Sequence, residues 1–272
     1  MSFRLGLAQT SFPQDGNVTD LVETCAAQAE AAGVQLLVFP ENLMAPQIMA
    51  AHKLMELAEP LGGPFAQTVC ASARRHGLWM VFTMMVRSSE DELPYNTAVV
   101  VDDSGAIQGT YRKCHLYDAH GIRESDQMRA GDTLCSPIVA PFGTFGVAIC
   151  YDLRFPEVAR VLALNGCELI VYPSAWHRGP HKGEHWQTLL AARAIENECF
   201  VAGVCHAGRR YVGESQIIGP LGTVLAKGPK ASEQHDSVAL VVADINLAEV
   251  EAARDAMPVF EHRRKETYHS LC

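Results

Sequence analysis

The chain has 272 residues, with 22 basic and 31 acidic side chains and a formal net charge of -9, a balance that argues against nucleic acid as the main partner. Hydrophobic residues make up 48% of it against 19% charged, enough apolar surface to offset the entropy of ordering, and no low-complexity segment suggests disorder. No apolar run approaches the roughly 18 residues of a membrane helix, and the opening MSFRLGLAQT lacks the cationic and long apolar regions of a signal peptide, so a cytoplasmic protein with no membrane partner is expected.

Apolar, β-rich runs alternate with helical patterns. Strands are predicted at 3–8 and 35–39; between them a helix from Asn17 carries Leu21, Cys25, Ala29 and Ala32 at helical spacing and stops at Gly33, which accepts a left-handed C-terminal conformation. A second helix, with Phe65, Val69 and Ala73 on one face, ends at Gly77 ahead of strands at 78–86 and 97–101. The run 146–150 is followed closely by a helix that begins at Pro156, a residue suited to a first helical turn, and ends at Gly166. A strand at 169–172, a helix over 184–197 and strands at 200–205 and 238–242 complete the order. Turn signals within 101–107 and 218–224 favour hairpins, so antiparallel pairing joins the parallel pattern. The fold class is α/β with mixed sheets, and without a long linker or a fixed-period repeat residues 1–272 are expected to form one domain.

Nine cysteines are scattered without Cys-x-x-Cys spacing, several inside apolar runs, which suits reduced, buried thiols better than a disulfide framework. Cys150 differs in its setting, Gly146-Val147-Ala148-Ile149-Cys150-Tyr151-Asp152-Leu153-Arg154-Phe155-Pro156-Glu157. There it sits between a strand and a helix start, where ligands gather in open α/β sheets and where free N–H groups stabilise a thiolate or an oxyanion. It is a candidate nucleophile, although a small buried hydrophobe is the alternative. Glu41, in Val38-Phe39-Pro40-Glu41-Asn42, also emerges from a strand and suits a general base, or a helix cap. Lys113, in Tyr111-Arg112-Lys113-Cys114-His115-Leu116, is a candidate cation, or a solvated lysine. Trp176, in Pro173-Ser174-Ala175-Trp176, follows another strand and is a candidate pocket wall together with Ala175, or a core residue.

The Phe-Pro-Glu, Arg-Lys-x-His-Leu and Cys-Tyr-Asp-x-Arg-Phe-Pro-Glu segments occur in the order found in the nitrilase-like carbon–nitrogen hydrolase superfamily, which this chain resembles over essentially its whole length. The resemblance implies a four-layer α-β-β-α sandwich, a homodimer or higher homo-oligomer, and a catalytic set of Glu41, Lys113 and Cys150, with Glu124 of Ile122-Arg123-Glu124-Ser125 as a further active-site glutamate. It implies an amidase for a small-molecule substrate that works through a thioester and needs no metal or organic cofactor. Glu41 would take the thiol proton, and Lys113 with the Tyr151 amide would stabilise the oxyanion. Arg154 would bind a substrate carboxylate, or form an ion pair with Glu157 or Asp152. Glu41→Gln and Lys113→Ala are each expected to fold and to lose orders of magnitude in rate.

Stretches such as His115–Asp118, Arg178-Gly179-Pro180 with His185-Trp186, and Pro258–Arg264 resemble the branch that cleaves deaminated glutathione, with ω-amidase of 2-oxoglutaramate as its neighbour. Arg154, Arg178, Lys182 and Arg209 are then expected to concentrate positive charge at the cleft of an acidic protein. Carbamoylases carry paired arginines after the nucleophile, where this chain has Leu153, and nitrilases carry Trp-Glu where it has Tyr151-Asp152. A zinc peptidase built on His181, Glu184 and His185 is the rival of another class, weakened by Pro180 and Gly183, which suit a helix interior poorly. A non-catalytic binding module is the second rival, but every position of the catalytic set is filled.

Overall fold

In a computed structural model that describes residues 1–13, 16–44, 51–87, 89, 92–231 and 239–267, the first half of the chain forms β1 (Ser2–Gln9), α1 (Val18–Ala31), β2 (Leu36–Val38), α2 (Ala51–Leu57), α3 (Pro64–His76), β3 (Trp79–Val86), β4 (Tyr95–Val101) and β5 (Ile107–Arg112). The second half forms β6 (Asp118–Ala119), β7 (Ile122–Arg123), β8 (Ile138–Ala140), β9 (Gly143–Val147), α4 (Pro156–Leu164), β10 (Leu169–Ser174), α5 (Lys182–Asn197), β11 (Phe200–Cys205), β12 (Gln216–Ile218), β13 (Val224–Lys227), β14 (Ala239–Asn246), α6 (Ala248–Ala256) and α7 (Val259–His262). The last predicted strand began at Val238, which lies outside the described residues. Gly77 closes α3 at φ 61°, the left-handed turn that ends a helix without a Cβ penalty.

Two six-stranded sheets stack, in the orders β14-β1-β2-β3-β4-β5 and β13-β12-β11-β10-β9-β8. β1, β2 and β3 are parallel, as are β9, β10 and β11, while β4–β5 and β12–β13 are antiparallel hairpins at the two predicted turn signals. Alternation along each strand divides the side chains between two interfaces. Leu5, Leu7, Leu36, Val38 and Val81 meet Phe145, Val147, Leu169 and Val171 of the opposite sheet. Leu37, Phe39, Met80 and Phe82 face the other way, onto Val22, Cys25, Ala26, Val69 and Ala73 of α1 and α3. On the far side α5 packs on β11, where a Cβ at Gly203 would lie 2.7 Å from Leu190 and Trp186. These are the four α-β-β-α layers.

The predicted strand at 35–39 narrows to Leu36–Val38, and the one predicted at 146–150 is displaced toward the N-terminus. The run 146–150 leaves the sheet at Val147, and Cys150 opens a 3-10 turn over Cys150–Arg154 before α4 begins. Cys150 has φ 45°, which no strand accommodates.

Candidate active site

The functional candidates leave strands that point one way. Glu41 follows β2, Lys113 follows β5, Cys150 follows β9 and Ala175 follows β10, so the carboxyl ends of both sheets converge on one spot. Glu41 and Lys113 are both fully buried. One Glu41 oxygen accepts from Asn96 Nδ2 at 2.8 Å and Lys113 Nζ at 2.8 Å, and the other from the Ala175 amide at 2.9 Å. Lys113 Nζ also donates to both oxygens of Glu124, at 3.0 and 2.8 Å, and Glu124 is steadied by the Tyr117 amide at 2.6 Å. A buried ammonium between two carboxylates satisfies the rule that buried charges are paired.

The same contacts set the protonation states. Burial alone would raise the Glu41 carboxyl, but the Lys113 charge and hydrogen bonds from Lys113, Cys150 and the Ala175 amide hold it below the usual carboxylate range. Burial would lower Lys113, but Glu124, Glu41 and Cys150 raise it well above the ordinary lysine range. Burial, and then Glu41, pushes the Cys150 thiol well up, against the pull of Lys113. The resting arrangement is a carboxylate hydrogen-bonded to a thiol, beside an ammonium. Cys25, Cys199 and Cys205 are each pushed up to about 12 chiefly by burial.

Cys150 lines a small cleft, and Tyr151, Arg154, Ala175 and Trp176, the substrate-binding candidates from the sequence, all line it too. Arg154 lies 4.7 Å above the Trp176 ring and 3.5 Å from His185 Nδ1, and forms no ion pair with Glu157 or Asp152. Asp152 is engaged by Tyr111, His115 and the Ile149 amide. Lys182 joins Arg154 on the wall, donating to the Tyr117 hydroxyl at 3.0 Å. Arg178 and Arg209 are exposed and do not line the cleft. Tyr117 and His177 also line it, although no strand ends at Tyr117 and nothing in the composition around His177 marks it. Asn96 lies inside β4, in a run whose pattern shows only that it is a strand.

His181 has φ 59° and precedes the first residue of α5, so the first histidine of His-x-x-Glu-His lies outside the helix. His181 Nδ1 instead meets Glu184 at 3.0 Å on the surface. Among the described residues no His, Cys, Asp and Glu side chains cluster as a metal site, and no helix is long and apolar enough to cross a membrane.

The sequence profile of the Carbon-nitrogen hydrolase family matches residues 5–255. The chain belongs to this family. Deaminated glutathione amidase of Escherichia coli O157:H7 is 37% identical to the hydrolase over 245 residues, covering 89% of this chain and 90% of its own. The Homo sapiens protein of the same name is 36% identical over 233 residues, covering 80% and 68%. Among solved structures, a carbon-nitrogen hydrolase of Helicobacter pylori superposes with a TM-score of 0.86 at 25% identity, covering 99% of this chain and 98% of that one. The C. elegans NitFhit protein superposes with 0.88 at 28%, covering 98% and 66%. The protein is an enzyme of the α/β nitrilase-like fold, a hydrolase of non-peptide carbon–nitrogen amide bonds.

Proposed function

We propose that the hydrolase uses Cys150 as nucleophile, Glu41 as general base and acid, and Lys113 as the oxyanion's cation. What carries this reading is the Glu41 carboxylate, bound at once by Lys113 and the Ala175 amide and hydrogen-bonded to the Cys150 thiol. Glu41 takes the thiol proton as sulfur attacks the amide carbon. The C–O electron pair moves onto oxygen, where Lys113 Nζ and the first-turn amide of Tyr151 meet the developing charge. Collapse breaks the C–N bond, Glu41 returns the proton to the leaving nitrogen, and a thioester remains. Glu41 then deprotonates a water that attacks the thioester, which releases a carboxylic acid and the thiol. Glu124, bonded to Lys113 Nζ through both oxygens, helps to hold the ammonium in place.

The substrate proposed is a small anionic amide, with the deaminated glutathione of the relatives' names as first choice. Arg154 and Lys182 on the cleft wall support an anion, in an acidic protein that would otherwise repel one. ω-Amidase action on 2-oxoglutaramate is the second reading, and carbamoylase or nitrilase action with the same catalytic set ranks below it. Comparison of kcat/KM for deaminated glutathione, 2-oxoglutaramate and a neutral aliphatic amide tests the choice. A preference for the neutral amide would refute the anionic substrate while leaving the Cys150 chemistry standing. We also infer a cytoplasmic single-domain enzyme that forms a homodimer through the α4 and α5 faces, where Val161, Leu164 and Ile195 are exposed.

A further inference from the structure

We propose that Asp152 is a positioning residue for the hydrolysis: its buried carboxylate fastens the segment that carries Lys113 onto the turn that carries Cys150. The proposal rests on the roles assigned above to those two residues. Asp152 is fully buried. One of its oxygens accepts from Tyr111 Oη at 2.8 Å and from the Ile149 amide at 2.8 Å. The other accepts from the His115 amide at 3.2 Å and is 2.7 Å from His115 Nδ1. Tyr111 and His115 stand two residues before and two after Lys113, while Ile149 and Asp152 flank Cys150. Lys113 follows the edge strand β5 of one sheet and Cys150 follows β9 of the other, so a single carboxylate bridges the two sheets beside the reacting groups.

Two further features need such a fastening. Cys150 is held at φ 45°, a conformation a non-glycine residue keeps only where its surroundings over-determine it. The His115 ring also stacks on Phe155 at 3.7 Å between centroids, with 13° between planes, so the Lys113 segment grips the nucleophile's turn at both ends. Relaxing the clamp would act first on the distance between the Cys150 sulfur and the Lys113 ammonium, since Asp152, Tyr111 and His115 do not themselves line the cleft. A displacement of about 1 Å at reacting atoms is enough to cost on the order of 100-fold in rate.

Asp152→Asn tests this at nearly constant volume. Either orientation of the amide presents its NH₂ to a backbone donor, Ile149 or His115, whose role cannot be exchanged. The expected result is a folded protein with kcat lower by on the order of 100-fold and KM within about threefold of wild type. Tyr111→Phe, and His115→Phe, which keeps a ring against Phe155, should each lower kcat by about tenfold and add nothing in the Asp152→Asn background. A folded Asp152→Asn enzyme with wild-type kcat, or losses that multiply freely across the three positions, would overturn the proposal. Should Asp152→Asn fail to fold, wild-type kcat in both single ring variants overturns it equally. Cys150→Ala serves as the companion measurement: activity there means that the nucleophile assignment has failed, whereas an inactive Cys150→Ala beside a fully active Asp152→Asn condemns the clamp alone.

Discussion

Burial pushes the Cys150 thiol up and the Glu41 carboxylate pushes it further, so at neutral pH the proposed nucleophile rests protonated and must shed its proton as it attacks. Glu41 can receive that proton because its own pKa is held low, the Lys113 charge and the hydrogen bonds outweighing burial. The acid limb of kcat/KM should therefore fall below the ordinary glutamate pKa of about 4.3, with a flat profile from there to about pH 8. A limb centred near neutrality would contradict the assignment of Glu41 as base. The same shifts act on stability. Glu41, depressed on folding, stabilises above its unfolded pKa of about 4.3, and the contribution is lost as pH falls through the folded value. Lys113, raised on folding, stabilises below its unfolded pKa of about 10.4, and that contribution is lost as pH rises through the folded value. Urea midpoints across pH measure both. Glu41→Gln should fold and lose about 10²–10⁴ in kcat. Lys113→Ala departs from the expectation of normal folding, because it strands Glu41 and Glu124 as buried carboxylates without their shared cation. A cost of about 3–5 kcal/mol in thermal or urea unfolding is expected.

At the scale of elements, the Cys150 turn and the α5 contact decide most. Val147 ends a strand and Cys150 opens a 3-10 turn within an unbroken apolar run, so hydrophobicity alone could not mark where the sheet stops. The backbone conformation of Cys150 does mark it. On α5, Gly203→Ala would drive a methyl to 2.7 Å from Leu190 and Trp186. Overpacking of that kind costs about 1–3 kcal/mol, and an unchanged melting temperature would show that α5 can shift without loss. Lys182 sits at the first turn of the same helix and lines the cleft. Lys182→Ala should raise KM for an anionic amide several-fold, most at low ionic strength, and leave a neutral amide unaffected. Equal effects on both substrates would mean that the lysine shapes the cleft rather than attracting charge.

At the scale of the whole molecule, the proposed dimer has a direct check. Sedimentation should show a mass twice that of the chain, and Val161→Asp on the exposed face of α4 should shift it toward monomer; a wild-type monomer would end the proposal. Most strands were legible one by one, because each is covered on both faces and so reads as an apolar run. The left-handed stops at Gly77 and Gly33 were legible for a backbone reason that belongs to glycine. Glu41, Lys113, Glu124 and Cys150, the proposed catalytic set, were named from motifs whose spacing has no local explanation. What the sequence by itself determined, then, was the alternation of elements and the hairpin turns, properties of short windows of chain, while the proposed catalytic side chains were named by the motifs they sit in. Only the tertiary structure decided which side chains meet. Glu41 reaches an amide 134 residues away, Asp152 binds groups 37 and 41 residues back, and Arg154 chooses Trp176 over a nearby carboxylate. Such contacts follow from how the two sheets stack and from where one strand leaves its sheet, and neither is written in any local pattern.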